Sequence, residues 1–66
     1  MEATITTTGQ VVTGTTFEDI RRVLMAMLDV GGPRGLTAVT QDGAEIHTEL
    51  YEGHDYIKAA NGRIIK

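Results

Sequence analysis

The sequence contains no cysteine, no tryptophan and no serine, and its 66 residues include one proline and three aromatic side chains. Without cysteine the chain forms no disulfide and offers no thiolate to a metal ion, so a small apolar core has to stabilise it. The absence of serine excludes a Ser-His-Asp triad. We therefore expect a protein that is not an enzyme and takes no cofactor. It should either lie in a reducing compartment such as the cytoplasm or be indifferent to redox conditions.

Long apolar runs and positive charge are also scarce. The longest apolar run, from Val23 to Leu28, is far shorter than the roughly 20 residues of a membrane-spanning helix. Six basic residues stand against nine acidic ones, for a net charge of −3. Because basic side chains supply most of the affinity for a phosphate backbone, nucleic acid is not an expected partner, and neither is a membrane.

What is present is the composition of an ordinary folded domain. Hydrophobic residues make up 41% of the chain and charged residues 23%, which is typical of globular proteins. We treat residues 1–66 as a single small domain. A domain near this size buries only about 60% of the surface that its unfolded chain exposes, so each buried side chain carries a large share of the stability.

β-Branched residues dominate the first part of the chain. Seven of the ten threonines lie within residues 1–16, and two β-branched runs flank Gly9. Such side chains favour an extended backbone, and a glycine between two such runs indicates a turn. The pattern predicts a β-hairpin with strands over residues 2–8 and 10–14.

From Phe17 onward, apolar residues recur every three or four positions, which predicts an α-helix over residues 16–30. Thr15 and Glu18 have the spacing of a capping box at its start. The Gly-Gly-Pro sequence of residues 31–33 is expected to end the helix. The apolar stripe that should face the core consists of Phe17, Ile20, Val23, Leu24, Met27 and Leu28.

Extended chain returns after the helix. Asp42-Gly43, a dipeptide that favours a tight hairpin turn, separates the strand-like runs Leu36–Thr40 and Glu45–Leu50. A further strand is predicted over Asp55–Ala60, followed by a turn and a short last segment, Arg63–Lys66. The order is strand, strand, helix, strand, strand, strand, which predicts an α+β domain with one helix packed on a sheet.

This order resembles the β-grasp, or ubiquitin-like, fold, which implies a mixed sheet packed on one α-helix. Gly14–Ile20 looks like the turn that leads into the helix of β-grasp domains. Asp42–Ile46, with Leu50, Glu52-Gly53 and Tyr56–Ala59, is similar to the closing half of doublecortin-like domains. The resemblance implies a module that binds other proteins. Binding to tubulin, which it also implies, is not expected, because the chain has no basic surface to steer it toward an acidic lattice.

Two surfaces are candidate contact sites for a partner protein. On the helix, Arg21, Arg22 and Met25 fall on the side away from the apolar stripe, where an exposed methionine would suit an adaptable binding surface. The second surface is the edge of the first strand, because residues 4–8 carry no charge that would prevent pairing with another chain. A homodimer joined through strands would suit a core this small.

The acidic stretch from Asp42 to Asp55 supports an alternative hypothesis. It holds Glu45, Glu49 and Glu52 and no lysine or arginine, so it would compete with a polyanion for the basic cleft of a larger enzyme. Glu45, His47 and Glu49 also share one face of a predicted strand. Their spacing matches no established pattern of metal ligands, and we predict no metal site.

The leading hypothesis is a non-enzymatic protein–protein interaction module of ubiquitin-like type, with self-association through a sheet edge as one of its forms. The alternative is a small acidic inhibitor that mimics nucleic acid or substrate. The expected contact residues are Arg21, Arg22, Met25, Glu45, Glu49 and Glu52.

Overall fold

Six elements of secondary structure follow one another in the order that the sequence predicts. The computed structural model describes residues 1–29, 34–50 and 55–65, and the predicted end of the helix at residues 31–33 lies outside them. The elements are β1 (Glu2–Ile5), β2 (Val11–Thr13), α1 (Phe17–Asp29), β3 (Gly35–Thr40), β4 (Glu45–Glu49) and β5 (Tyr56–Lys58).

The five strands form one sheet in the order β2-β1-β3-β4-β5, and α1 packs on one of its faces. The predicted α+β class, with one helix on a sheet, is confirmed. The sequence predicts a mixed sheet, but all four strand pairings are antiparallel. The difference arises at β3, which returns from α1 antiparallel to β1. The relation to β-grasp domains stays a prediction.

The first hairpin is confirmed, with shorter strands than predicted. β1 and β2 pair in antiparallel orientation. The pairing stops at Ile5 and resumes at Val11, because residues 6–8 form the turn. Gly9 follows this turn with a φ of +77°, a left-handed conformation that glycine adopts without steric cost.

The helix begins one residue later than predicted and uses a different capping pair. The Thr16 hydroxyl accepts a hydrogen bond from the Asp19 amide at 3.2 Å. The Asp19 carboxylate accepts from the amides of Thr15 and Thr16 at 3.0 and 3.2 Å. The capping pair is therefore Thr16 with Asp19, and the prediction of Thr15 with Glu18 is wrong. A Cβ at Gly14 would lie 2.8 Å from the Asp19 Cβ, so the glycine allows this close approach.

The core lies between α1 and the covered face of the sheet. Leu24 is fully buried, whereas Val23 is 39% exposed, so the prediction that Val23 faces the core is wrong. Met25, which was expected among charges, is partly buried and packs against the core. Val23 and Met25 are each rotated about 100° from Leu24 around the helix, in opposite directions. The position of the sheet decides which of the two side chains is covered. The core consists of Ala3, Ile5, Val12, Ile20, Leu24, Leu28, Leu36, Ala38, Ile46 and Ile57.

One buried polar side chain in this core is unsatisfied. Thr48 on β4 is 0% exposed, and within the described residues its hydroxyl has no hydrogen-bond partner. A buried hydroxyl without a partner costs roughly 1–3 kcal/mol. Thr48 therefore lowers the stability of a core that is already small.

The turn between β3 and β4 at Asp42-Gly43 is confirmed. Gly43 has a φ of +94°, which this type of turn requires. The Thr40 hydroxyl donates to the Asp42 carboxylate and accepts from the Ala44 amide at 3.0 Å. The hydrogen bond from Thr40, together with one from the Ala44 amide, holds the pKa of Asp42 below its ordinary value.

β5 is shorter than the strand predicted over residues 55–60, and the predicted last strand is reduced to one bridge, between Ile64 and Lys58. After a turn at Gly62, whose φ is +89°, the chain runs back along β5. Two backbone hydrogen bonds of 2.7 and 2.8 Å join this returning segment, residues 63–65, to β5 and to the residue that follows β5.

Candidate functional site

Arg21 on α1 is engaged within the chain. Its Nη1 donates to the Asp55 carboxylate at 2.7 Å, and its Nε lies 3.1 Å from both carboxylate oxygens of Glu18. The hydrogen bond to Glu18 raises the pKa of the Arg21 guanidinium, and Asp55 adds to that effect. Asp55 also accepts from the Glu49 amide at 3.0 Å. Arg21 and Asp55 therefore tie the helix to the end of β4 and to the start of β5.

Arg22 is the exposed member of the three helix residues expected at a binding surface. Its side chain is 74% exposed, and its Nη1 lies 3.7 Å from the Asp19 carboxylate. Met25 packs against the core, and Arg21 is held by its carboxylate partners. The structure thus does not bring Arg21, Arg22 and Met25 together as one exposed patch.

The acidic residues of β4 lie beside basic partners. Glu45 Oε2 is 3.5 Å from Nζ of Lys58, and Glu49 Oε1 is 3.1 Å from Nε2 of His47. Both pairs lie on the open face of the sheet, opposite α1, as the alternation along β4 predicts. Glu52 lies outside the described residues. The partner of Glu45 offsets part of the negative potential that an acidic inhibitor would present.

His47 is the centre of a polar cluster on this open face. Its Nδ1 lies 2.9 Å from the Thr37 hydroxyl and its Nε2 lies 3.1 Å from Glu49. Its ring stacks on Tyr56 with the centroids 4.9 Å apart. Since a carboxylate at Nε2 requires a proton there, we assign that tautomer, with the Thr37 hydroxyl donating to Nδ1. The cluster links β3, β4 and β5 across the sheet.

The chemistry available to this cluster is limited. Both nitrogens of His47 are used in hydrogen bonds, and among the described residues no three metal-ligating side chains lie together. The cluster stands on an open sheet face, whereas a reacting group is normally desolvated in a cleft. Its geometry suits a cross-strand network that stabilises the sheet.

A shallow pocket of about 250 Å³ lies where β1, the turn after β3 and the start of α1 meet. Phe17 and Met1 supply apolar surface, and Glu2 and Asp42 supply carboxylates. Asp42 is already hydrogen-bonded to the Thr40 hydroxyl. The pocket is therefore open to solvent and of mixed polarity, and its described lining offers no preorganised set of groups to a small ligand.

β1 is not an edge strand, so the prediction that residues 4–8 form an open edge is wrong. β1 lies between β2 and β3 and pairs with both. The hairpin places β2 on the outside, and the two outer strands of the sheet are β2 and β5. Any pairing with another chain at this side of the sheet has to take place at β2.

The backbone of β2 presents hydrogen-bonding groups to the outside. Two hydrogen bonds to β1, at the Gln10 carbonyl and the Gly14 amide, measure 2.8 and 3.0 Å. Because such bonds alternate along an antiparallel pair, Val12 also turns its amide and carbonyl toward β1. Val11 and Thr13 turn theirs outward, and no described strand pairs with them there.

The side chains leave this edge without charge. Residues 3–17 contain no ionisable side chain, and Val11 is 53% exposed. Edge strands are normally protected by lysine, proline, a bulge or a covering segment. Within the described structure β2 has none of these; its short length of three residues limits pairing, but its own pairing with β1 is unbroken. We define the outward backbone groups of Val11 and Thr13, with their side chains, as the β2 edge.

No protein family model, curated protein or solved structure matches this chain. In the described part of the chain, no helix is long and apolar enough to cross a membrane. The candidate site therefore rests on its own geometry. Sequence reasoning found the uncharged stretch but assigned it to the wrong strand of the hairpin, since a hairpin pattern does not say which strand lies outside.

Proposed function

We propose that this protein is a non-enzymatic interaction module that binds an extended polypeptide strand at the β2 edge. The observation that carries the proposal is the pair of residues Val11 and Thr13, whose amides and carbonyls face outward from an uncharged edge. An edge of this kind accepts a strand from another chain by continuing the sheet, with backbone hydrogen bonds for affinity and alternate side chains for specificity.

The size of the β2 edge indicates a weak, reversible interaction. Val11 and Thr13 offer two amides and two carbonyls, which is enough for four backbone hydrogen bonds. Each such bond contributes a net stabilisation of about 0.5–1.5 kcal/mol. Contacts that bury little surface are usually transient, so a longer-lived complex would need side-chain contacts beyond the strand itself.

The other hypotheses have less support. The acidic inhibitor requires exposed carboxylates, whereas Glu45 lies beside Lys58 and Glu49 beside His47. The helix surface requires Arg21, which is bound to Asp55 and Glu18. A ubiquitin-like mode of recognition rests on the resemblance alone. The β2 edge needs no rearrangement before it binds.

A pair of variants at one exposed position tests the proposal. Thr13→Pro removes the outward amide, and proline is tolerated on an edge strand when its nitrogen faces solvent. Thr13→Val keeps the amide and the β-branched shape. In a pull-down from the native source, we expect a partner that wild type and Thr13→Val retain and that Thr13→Pro binds about fivefold to tenfold more weakly.

Circular dichroism melts of both variants check that the fold is intact. In the complex, the Val11 and Thr13 amides should exchange with solvent more slowly than in the free protein, while exposed amides of the turn at residues 6–8 should be unchanged. A partner retained equally by a folded Thr13→Pro variant contradicts binding at the β2 edge.

A further inference from the structure

We infer that the strand which fits the β2 edge is the β2 edge of a second copy of this chain, related to the first by a twofold axis through Val12. This inference rests on the proposed function and names its partner. Two five-stranded sheets would then join into one ten-stranded antiparallel sheet, with both copies of α1 on the same face.

The register of the pairing follows from the directions of the backbone groups. Val11 and Thr13 face outward, and Val12 faces inward toward β1. In an antiparallel pair, residues that exchange hydrogen bonds alternate with residues that do not. Val11 of one copy therefore pairs with Thr13 of the other, twice, and the two Val12 residues face each other without hydrogen bonds. All four outward groups of each copy are satisfied in this register.

The side chains match in the same register. Val11, which is 53% exposed, would lie opposite Thr13 of the other copy on the open face, and paired β-branched side chains pack well across strands. The Val12 side chains would lie side by side at the rim of the two cores, to which each already contributes. A strand read in reverse against itself thus meets an uncharged, β-branched partner at every position.

No ionisable side chain lies on β2 itself to oppose this pairing, although each copy carries a net charge of −3. In the sheet, the charged side chain paired with β2 is Glu2, which lies on β1, opposite Thr13. The two Glu2 residues would be three strand spacings apart across the sheet and two residues apart along it, about 16 Å in all, which exceeds a Debye length of about 8 Å at physiological salt. A charged partner strand finds no opposite charge on β2, whereas the β2 strand of a second copy brings no like charge to it.

An engineered disulfide tests the twofold axis directly, because the chain has no cysteine of its own. Facing residues without hydrogen bonds have Cα atoms about 4.5 Å apart, within the range that a disulfide spans. We expect Val12→Cys to form a covalent dimer under mild oxidation. Thr4→Cys, an exposed β-branched position on β1, is the matched control and should form no covalent dimer, since its two copies would be about 16 Å apart.

Sedimentation equilibrium supplies an independent measurement that does not perturb the core. Wild type and Thr13→Val should dimerise reversibly, and Thr13→Pro removes two of the four hydrogen bonds of the dimer. We expect its dissociation constant to rise about thirtyfold. A wild-type protein that is monomeric at millimolar concentration would falsify the inference, as would a dimer that Thr13→Pro does not weaken.

The two proposals fail separately. If wild type is monomeric but loses a partner in the pull-down on Thr13→Pro, the strand-binding function stands and the second copy is the wrong occupant. If Thr13→Pro changes neither the dimer nor the pull-down, both proposals are overturned.

Discussion

The two edge strands of the sheet, β2 and β5, are equally long, with three residues each. They differ in whether the outer side of the strand is covered and in whether it carries charge. At β5 the chain turns back and residues 63–65 lie along the outer side of the strand. Lys58 on β5 adds a charge and lies near Glu45. At β2 the backbone groups of Val11 and Thr13 face outward without a covering segment among the described residues.

The difference indicates where this small domain tolerates association. A covered or charged edge resists pairing with another chain, and an open uncharged edge invites it. β5 is also tied to α1 through Asp55 and Arg21, whereas β2 is held by its hairpin with β1 and by Val12 in the core. The β2 edge is therefore the side at which the sheet can grow.

The largest expected effect comes from releasing β5. Asp55→Ala removes the ion pair with Arg21 and the hydrogen bond from the Glu49 amide, at side chains that are only 17% and 20% exposed for Asp55 and Arg21. We expect a loss of about 2 kcal/mol in the free energy of unfolding, measured by urea denaturation.

Asp55→Asn is the control for this prediction, because the amide oxygen still accepts from Glu49 while the charge is lost. Its loss should be smaller than that of Asp55→Ala. The contrary result would be a free energy of unfolding for Asp55→Ala within about 0.5 kcal/mol of the wild-type value. The ion pair between α1 and the start of β5 would then not stabilise this edge, and the contrast with β2 would be weaker than we describe.

A smaller effect is expected from a matched pair of glycines, one beside each edge. Gly62 and Gly9 have φ values of +89° and +77°, and a Cβ added at either meets nothing within 4 Å. Each alanine variant should therefore cost about 1 kcal/mol, from backbone conformation alone.

The local consequences of the two variants should differ. Gly62→Ala should loosen residues 63–65, speed hydrogen exchange at Ile65 and increase self-association by opening the edge of β5. Gly9→Ala should disturb the β1–β2 turn and weaken pairing at the β2 edge. Self-association can be measured for both variants by sedimentation. If the two variants change it equally, the segment of residues 63–65 along β5 is not what makes that edge less prone to pairing than β2.

The smallest effect concerns the centre of the sheet, between the two edges. The pKa of Asp42 is lowered by the hydrogen bond from Thr40 and the one from the Ala44 amide, so the carboxylate stabilises the fold above about pH 4, the range of the unfolded chain. This contribution is lost as the pH falls through the lowered pKa.

Asp42→Asn should remove this pH dependence. Thermal melts of wild type and variant between pH 2 and pH 6 should differ most at the upper end and converge at the lower end. Curves that stay parallel across the range would show that the turn between β3 and β4 is not stabilised by the Asp42 charge.

Much of the fold was predictable because its signals are local. The period of apolar residues gives α1, and the Asp42-Gly43 turn gives the second hairpin, since each depends on neighbouring residues only. The capping pair was missed because two pairs with the same spacing, Thr15 with Glu18 and Thr16 with Asp19, compete. The close approach of Asp19 to Gly14, which accompanies the second pair, is visible only in the folded turn.

The candidate site was less predictable. Arg21 and Met25 were expected at the surface, but the long side chain of Arg21 reaches Asp55, 34 residues away in sequence. Met25 and Val23 are each rotated about 100° from Leu24, in opposite directions, and Met25 packs against the core whereas Val23 is exposed. Contacts between distant parts of the chain decide such cases.

By itself, the sequence determined the order of elements, the two hairpins and the uncharged character of residues 3–17, because turn residues, apolar periods and charge act over short distances. The tertiary structure alone decided which strands lie outside. The antiparallel pairing of β1 with β3 buries the first strand and leaves β2 at the edge. That pairing joins residues more than 30 positions apart, and no local pattern encodes it.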